Sequence, residues 1–278
     1  MQLRRTGLFF TGVMLAGLPG VAMAGQDGTG PAAAETDADA EGVTEITVTA
    51  RRVSEGLQST PVAITALGGE RLDQISAADT LDLSGRAPNV QIVQTGAGAG
   101  AASVFIRGIG NNALGFNLAN PVGVYVDDVY IPRLQGSLVD LLDLERVEIL
   151  RGPQGTLYGR DSTVGAVKYV SKEPDLYEEA FKARAVVGNY ARRDILVGAS
   201  VPLVEGKLAI KVDASTRHQK GYIVGVDADG DPDGQRGNGV NRQSARFALL
   251  WTPDDDWRVS YVADISNDDS GSTLPTRI

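Results

Sequence analysis

Leu144-Glu145-Arg146-Val147-Glu148-Ile149-Leu150-Arg151-Gly152-Pro153-Gln154-Gly155-Thr156-Leu157-Tyr158-Gly159-Arg160-Asp161-Ser162-Thr163-Val164-Gly165-Ala166-Val167-Lys168-Tyr169-Val170-Ser171-Lys172-Glu173-Pro174 is the stretch from which the rest of the chain is read. Val147 and Ile149 alternate with charged residues, and residues 166–170 form a second apolar run, so both favour strands. Between them Gly152, Pro153, Gly155 and Gly159 interrupt any regular element. The expectation is two strands joined by a close-packed, glycine-rich connection. Any one of these glycines fits a tight turn in any globular domain; the register of the whole stretch carries more information.

On the N-terminal side, Ala87-Pro88-Asn89-Val90 reads as a turn, and Ser103-Val104-Phe105-Ile106-Arg107-Gly108 as a strand ending in a turn. Val122-Gly123-Val124-Tyr125-Val126-Asp127-Asp128-Val129-Tyr130 is a further apolar segment with an acidic break. Together with residues 144–174 these segments resemble the plug domain of TonB-dependent outer-membrane receptors, nearly without a gap from residue 45 to 174. Three departures are visible. Val164-Gly165 stands where the family has a glycine pair, Asn89 replaces the glycine of a Pro-Gly-Val turn, and Asp128 replaces that of a Val-Asp-Gly segment. Asparagine tolerates a left-handed backbone, so the turn at Asn89 survives. Around these motifs we expect a strand at 62–67 and a helix at 70–75. A second helix is expected near 79–85, N-capped by Asp79, and a short helix at 137–144.

Met1 opens a leader with Arg4 and Arg5, an apolar run at 8–18 and Ala22-Met23-Ala24, the pattern of a secretory signal over residues 1–24. Residues 25–44 are rich in Gly, Ala, Thr, Asp and Glu, with little to bury, and read as a disordered leader. Glu45-Ile46-Thr47-Val48-Thr49-Ala50 then alternates apolar residues with threonines and favours an extended strand. By position it resembles the family's TonB box, which implies a partner: TonB, energised from the inner membrane, adding this segment to a sheet edge. The alternative is an ordinary first strand of the plug, which would occupy residues 51–174.

After Pro174 the pattern changes to segments of about ten alternating residues separated by turns. Ala183, Ala185 and Val187 oppose Lys182 and Arg184, and Leu208, Ile210, Val212 and Ala214 oppose Lys211, Asp213 and Arg217. Phe247, Leu249 and Trp251 oppose Ser244 and Arg246, and Val259, Tyr261, Ala263 and Ile265 oppose Arg258, Ser260 and Asp264. A segment at 194–203 carries Ile195, Val197, Ala199 and Val201 on one face. A soluble β-sandwich alternates too, but tight connections at 204–206 and 253–256 fall at one end, with a long polar one at 219–241 at the other. Trp251 and Trp257 flank a tight turn, as an aromatic girdle at a membrane interface requires. The fold class expected is therefore an α+β plug domain followed by the first strands of an antiparallel transmembrane β-barrel, residues 175–278. Five strands cannot close a barrel that in this family has about twenty-two, so the chain reads as the N-terminal part of a receptor.

The chain has no cysteine and a single histidine, His218. Disulfides and histidine-built zinc sites are excluded, and with no Gly-x-Ser-x-Gly elbow in the sequence no enzyme is expected. A net charge of −9 disfavours nucleic acid. The glycine-alternating run at 96–100 is not a dinucleotide loop, because a strand rather than a helix follows it. The resemblance implies a receptor in the outer membrane of a Gram-negative bacterium, surrounded by lipid and taking up an extracellular ligand with no resident cofactor. Ferric siderophore is the family's commonest cargo, with vitamin B12 or glycans as others. A secreted or periplasmic β-rich binding or adhesion protein, or a non-functional fragment, is the alternative. The resemblance also implies that Arg107 and Arg151 lock the plug against barrel glutamates, whose strands would lie beyond Ile278. Finally, Asp227, Asp229, Asp231 and Asp233 alternate with glycine-containing positions, and from Asp229 the order begins like a calcium loop. Its twelfth position is Val240 rather than glutamate. A solvated acidic loop tip and a weak calcium site are both readings of it.

Overall fold

The computed structural model of the protein describes residues 46–49, 51–95, 100–111, 120–134, 138–226 and 231–271, together with the backbone of Leu15–Ala16. Of the expected export signal only that pair, β1, is described; it lies antiparallel against the edge of the last strand. The N-terminal α/β unit then contains β2 (Thr47–Val48), β3 (Glu55–Gly56), β4 (Ile64–Gly68), α1 (Gly69–Gln74), a 3₁₀ turn (Thr80–Leu83), β5 (Val90–Gln94) and β6 (Ala102–Ile106). It continues through β7 (Val122–Val126), β8 (Val129–Tyr130), β9 (Leu144–Arg151), α2 (Gly155–Tyr158) and β10 (Gly165–Ser171). The strands that follow are β11 (Ala180–Gly188), β12 (Arg192–Val204), β13 (Leu208–Gln219), β14 (Ile223–Val226), β15 (Pro232–Gly237), β16 (Val240–Asp254) and β17 (Trp257–Asp268).

The central sheet runs β4-β9-β10-β7-β8, with β9 and β10 antiparallel and β10 parallel to β7. Its two faces follow from the alternation of the strands. Val147, Ile149, Val167, Tyr169, Val122 and Val124 share one face, and the main core forms there against Leu72, Leu83 and the β5–β6 ribbon. Leu150, Ala166 and Tyr125 share the other face, where a smaller cluster gathers Tyr158 and Val48.

The departures from the family pattern are accommodated by local backbone chemistry. Asn89 and Asp128 adopt left-handed φ (58° and 66°), so small polar side chains stand where glycine was expected, and the neighbouring Asp127 is left-handed as well (46°). Val164 packs against the main core. Gly165 has no such freedom: a Cβ there would sit 2.3 Å from the carbonyl oxygen of Leu150 on the neighbouring strand.

Two expectations need correction. The helix near 79–85 is a single 3₁₀ turn: Asp79 caps it by accepting the Leu81 N–H (2.9 Å), and Gly85 at φ 72° ends it. The helix expected at 137–144 is absent from the described residues 138–143. Their backbone pairs instead with the segment before the 3₁₀ turn, Thr80 N–H to Val139 carbonyl (3.1 Å) and Leu141 N–H to Ala78 carbonyl (3.0 Å). Leu138, Leu141 and Leu142 are buried by that pairing, so tertiary burial overrides helical propensity.

Strands β11, β12, β13, β16 and β17 form an antiparallel meander with β1 on its free edge, and no closed barrel forms among the described residues. Long stretches of unbroken register fix which residues share a face. The outer face carries Phe181, Val187, Ile195, Val197, Val212, Trp251 and Ile265, all exposed. An apolar band of this extent on one face of a sheet is what a lipid-facing wall presents. The inner face carries Lys211, Asp213, Arg242 and Arg246, all buried. The long connection at 219–241 holds a hairpin of its own, β14 with β15.

The glycine pair position gives a direct test. Gly165→Ala forces a Cβ against main chain and is expected to cost about 1–3 kcal/mol of stability. Val164→Gly, which only trims a partly buried side chain, costs less. Thermal unfolding of the chain in detergent, followed by circular dichroism, checks the order.

Candidate functional site

Two constellations of buried polar groups sit on the α/β unit. One faces the wall. The segments 73–79 and 138–143, with the β7–β8 turn, present acids to it, and the inner face of the wall presents bases. Asp140 accepts from Arg242 Nη1 at 3.0 Å and from the Ser244 hydroxyl, and pairs with Arg217 at 3.5 Å. Asp79 binds the same Arg217 at 2.6 Å. Asp143 holds Lys211 at 2.7 Å and Lys182 at 3.0 Å, and Asp73 also takes Lys182 at 2.8 Å. Asp127 accepts from the Ser171 N–H and hydroxyl and binds Arg246 at 2.8 Å. Wall acids complete the arginines: Asp268 on Arg242 and Asp264 on Arg246, each directly across the β16–β17 pair.

Electrostatics explains why this seam is ionic rather than apolar. The inner wall face alternates with the apolar outer face, so its lysines and arginines have nowhere else to point. Removed from water, each must be paired. Burial opposes ionisation of Asp143, but the Lys211 and Lys182 ammonium groups outweigh it and hold that carboxyl below the ordinary carboxylate range.

The second constellation lies on the opposite face of the central sheet, under residues 46–49. Thr47–Val48 pairs with Glu55–Gly56, and the Val48 side chain is fully buried in the smaller cluster. Thr49 is bound by side chains of β9 and β10. Its N–H donates to Glu148 Oε1 (2.8 Å), and its hydroxyl meets Glu148 (3.2 Å), Arg146 Nη2 (3.1 Å) and Lys168 Nζ (2.7 Å). Residues 46–49 of the expected box are thus a docked strand; Glu45 and Ala50 lie outside the described residues.

The remaining expected residues scatter. Arg107 is exposed with φ 53°, and Arg151 reaches the Pro88 carbonyl at 3.4 Å while its buried Nε has no hydrogen-bond partner among the described residues. Neither forms an ion pair there, so the contacts between unit and wall run through acids of the unit and not through these arginines. Trp251 and Trp257 flank the β16–β17 turn and are about half exposed. Asp227, Asp229 and the side chain of Asp233 lie outside the described residues, and no acidic cluster able to hold a metal occurs among the described ones. The five acids of the seam were missed in the sequence. Their signal was available: the charges expected on the lumen face of the wall are mostly basic, which calls for acids opposite.

Residues 56–166 match the family model described as the TonB-dependent Receptor Plug Domain. A vitamin B12 transporter of Vibrio vulnificus is 29% identical over 137 residues, covering 48% of this chain and 21% of its own length. The pesticin receptor of Yersinia pestis is 26% identical over 239 residues, covering 84% of this chain and 34% of its own. In structure, the ferric yersiniabactin uptake receptor of Yersinia pestis superposes with a TM-score of 0.66 at 23% identity, over 75% of this chain and 32% of that one. The ferripyoverdine receptor of the Pseudomonas aeruginosa outer membrane gives 0.64 at 16%, over 80% and 27%. The chain spans about a third or less of the length of these relatives.

Two measurements probe the seam. Asp140→Ala leaves Arg242, Arg217 and Ser244 short of a partner and is expected to destabilise the chain by about 3 kcal/mol, read by urea unfolding in detergent. Because the folded pKa of Asp143 is depressed, its contribution is complete above the unfolded value of about 3.9 and is lost as pH falls below it. Melting temperature should therefore drop on acidification below about pH 4, and Asp143→Asn should be less stable at neutral pH with a shallower acid limb.

Proposed function

We propose that the chain is part of a TonB-dependent outer-membrane receptor, a plug domain followed by antiparallel strands of its barrel, and that the whole protein is an energy-coupled uptake receptor. Its cargo is a scarce extracellular ligand, and of the family's cargoes a ferric siderophore is the one we assign. The observation that carries this reading is the pinning of the plug to the charged face of the wall through Asp79, Asp127, Asp140 and Asp143. A plug held in this way closes a lumen at rest and needs work to move.

The energetics of capture require such work. A nanomolar ligand is bound by about 12 kcal/mol. With an on-rate of about 10⁶ per molar per second it leaves only over many minutes. Force applied from the inner membrane through TonB supplies the release. The segment at residues 45–50 is where we place that contact: a strand-former ahead of the plug, suited to pairing with a partner strand. The plug arginines Arg107 and Arg151, the latter with a buried Nε that has no hydrogen-bond partner among the described residues, suit carboxylates on barrel strands. The exposed apolar band and Trp251 and Trp257 suit outer-membrane lipid.

Cells lacking their own receptors and expressing the complete protein are offered radioactive iron as ferric yersiniabactin or ferripyoverdine, or cobalt-labelled vitamin B12. Accumulation of iron is the expected result; accumulation of cobalamin alone would reassign the cargo. Val48→Pro removes a backbone donor and fixes φ. It should abolish uptake while surface binding of the same ligand persists, and unchanged uptake would remove residues 45–50 from the coupling.

A further inference from the structure

The sheet face beneath residues 46–49 contains three charged side chains almost wholly withdrawn from water: Arg146, Glu148 at 0% exposure and Lys168 at 3%. Arg146 Nε donates to Glu148 Oε1 at 2.7 Å, and Lys168 also pairs with the exposed Asp128 at 2.9 Å. The second oxygen of Glu148 has no hydrogen-bond partner among the described residues. Apolar side chains at these positions would hold the sheet together at least as well, since a buried ion cluster seldom adds net stability over a hydrophobic one. What the three charges have in common is Thr49. Its hydroxyl has one proton and two lone pairs, and the geometry uses all three: donation to Glu148, acceptance from Arg146 and from Lys168.

We propose that Glu148, Arg146 and Lys168 form a polar latch whose keeper is Thr49, and that its strength sets how often residues 46–49 leave the sheet. The inference rests on the reading of this segment as the TonB contact, and it assigns that contact's resting hold to named side chains. Two kinds of contact divide the labour. Val48 seals an apolar notch of Tyr125, Leu150, Tyr158 and Ala166. Thr49 supplies polar contacts that water replaces on release, and such contacts are strong while made yet contribute little net free energy. The docked strand is therefore held in register without being held permanently. The three latch residues are positioning residues: they act through Thr49 and need touch neither ligand nor TonB.

The chain has no cysteine, so Thr47→Cys, at an exposed position, takes a single nitroxide on the docked strand without competing sites. The whole chain in detergent is measured by electron paramagnetic resonance. In the Thr49→Val background, which keeps shape and strand preference but loses the hydroxyl, the mobile fraction of the signal should rise about tenfold (about 1.4 kcal/mol). Glu148→Gln, which keeps an acceptor for the Thr49 N–H but removes the charge facing Arg146, should raise it as well. A nitroxide at Gln91→Cys, exposed on β5, should be unchanged in both, which general loosening of the plug would not allow. If Glu148→Gln does not fold, Thr49→Val alone decides. A mobile fraction unchanged by Thr49→Val in a folded chain, or one that rises equally at position 91, overturns the latch.

Isolated periplasmic domain of TonB separates the two readings. If it binds, its apparent affinity should rise with the mobile fraction by the same factor. Binding whose affinity stays constant while the mobile fraction rises speaks against the latch as the control of access. If it binds none of the labelled chains yet the mobile fraction responds as expected, the latch stands and the TonB reading fails.

Discussion

The structure depends on one constraint: a charged surface withdrawn from water must be matched. Strand alternation on the wall sends apolar side chains to one side and lysines and arginines to the other, and the second set ends up against the plug rather than in bulk solvent. The plug answers with aspartates, most of them carried on segments outside regular secondary structure. Asp73 lies in α1, but Asp79, Asp127, Asp140 and Asp143 sit in turns and bridges. Residues 138–143 are extended because their backbone pairs with residues 78–80. The observed path delivers Asp140 and Asp143 to the wall while burying the intervening leucines.

The central strand β9 links the two constellations. Its odd-numbered residues Val147 and Ile149 form the main core, while Arg146 and Glu148 hold the docked strand on the other face. Residues 46–49 and the core thus share a backbone. A displacement of the docked strand is felt first by β9 and β10, whose side chains hold it and which pair with each other along their length.

Much of this was legible in the residues. The stretch at 144–174 reads as two strands and a glycine-rich link because local breakers and apolar runs agree there, and the wall strands followed from their alternation; that the first two pair antiparallel came from the structure. Asp79 was readable as a cap because capping is local chemistry. The path of residues 138–143 was not, because it is decided by backbone pairing with residues 78–80, far away in sequence. Nor was the docking of Val48: a short threonine-valine strand looks the same whether tethered or buried, and only the notch beneath it decides. The acids of the seam stayed hidden because aspartates in turns are ordinarily solvated, and only the basic wall opposite turns them into contacts. Arginines drew attention instead, through the family resemblance.

Asp140 has a consequence for exchanging parts between receptors. It meets Arg242, Arg217 and Ser244 from three directions on two strands, so the polarity of the seam is written jointly into residues more than seventy positions apart. A plug grafted from a relative with an arginine at this position would set like charges together in a space that water cannot screen. Compatibility between a foreign plug and this barrel is therefore a question of sign as much as of shape. A functional chimera would have to carry the wall residues of β13 and β16 along with the plug, or change them in step.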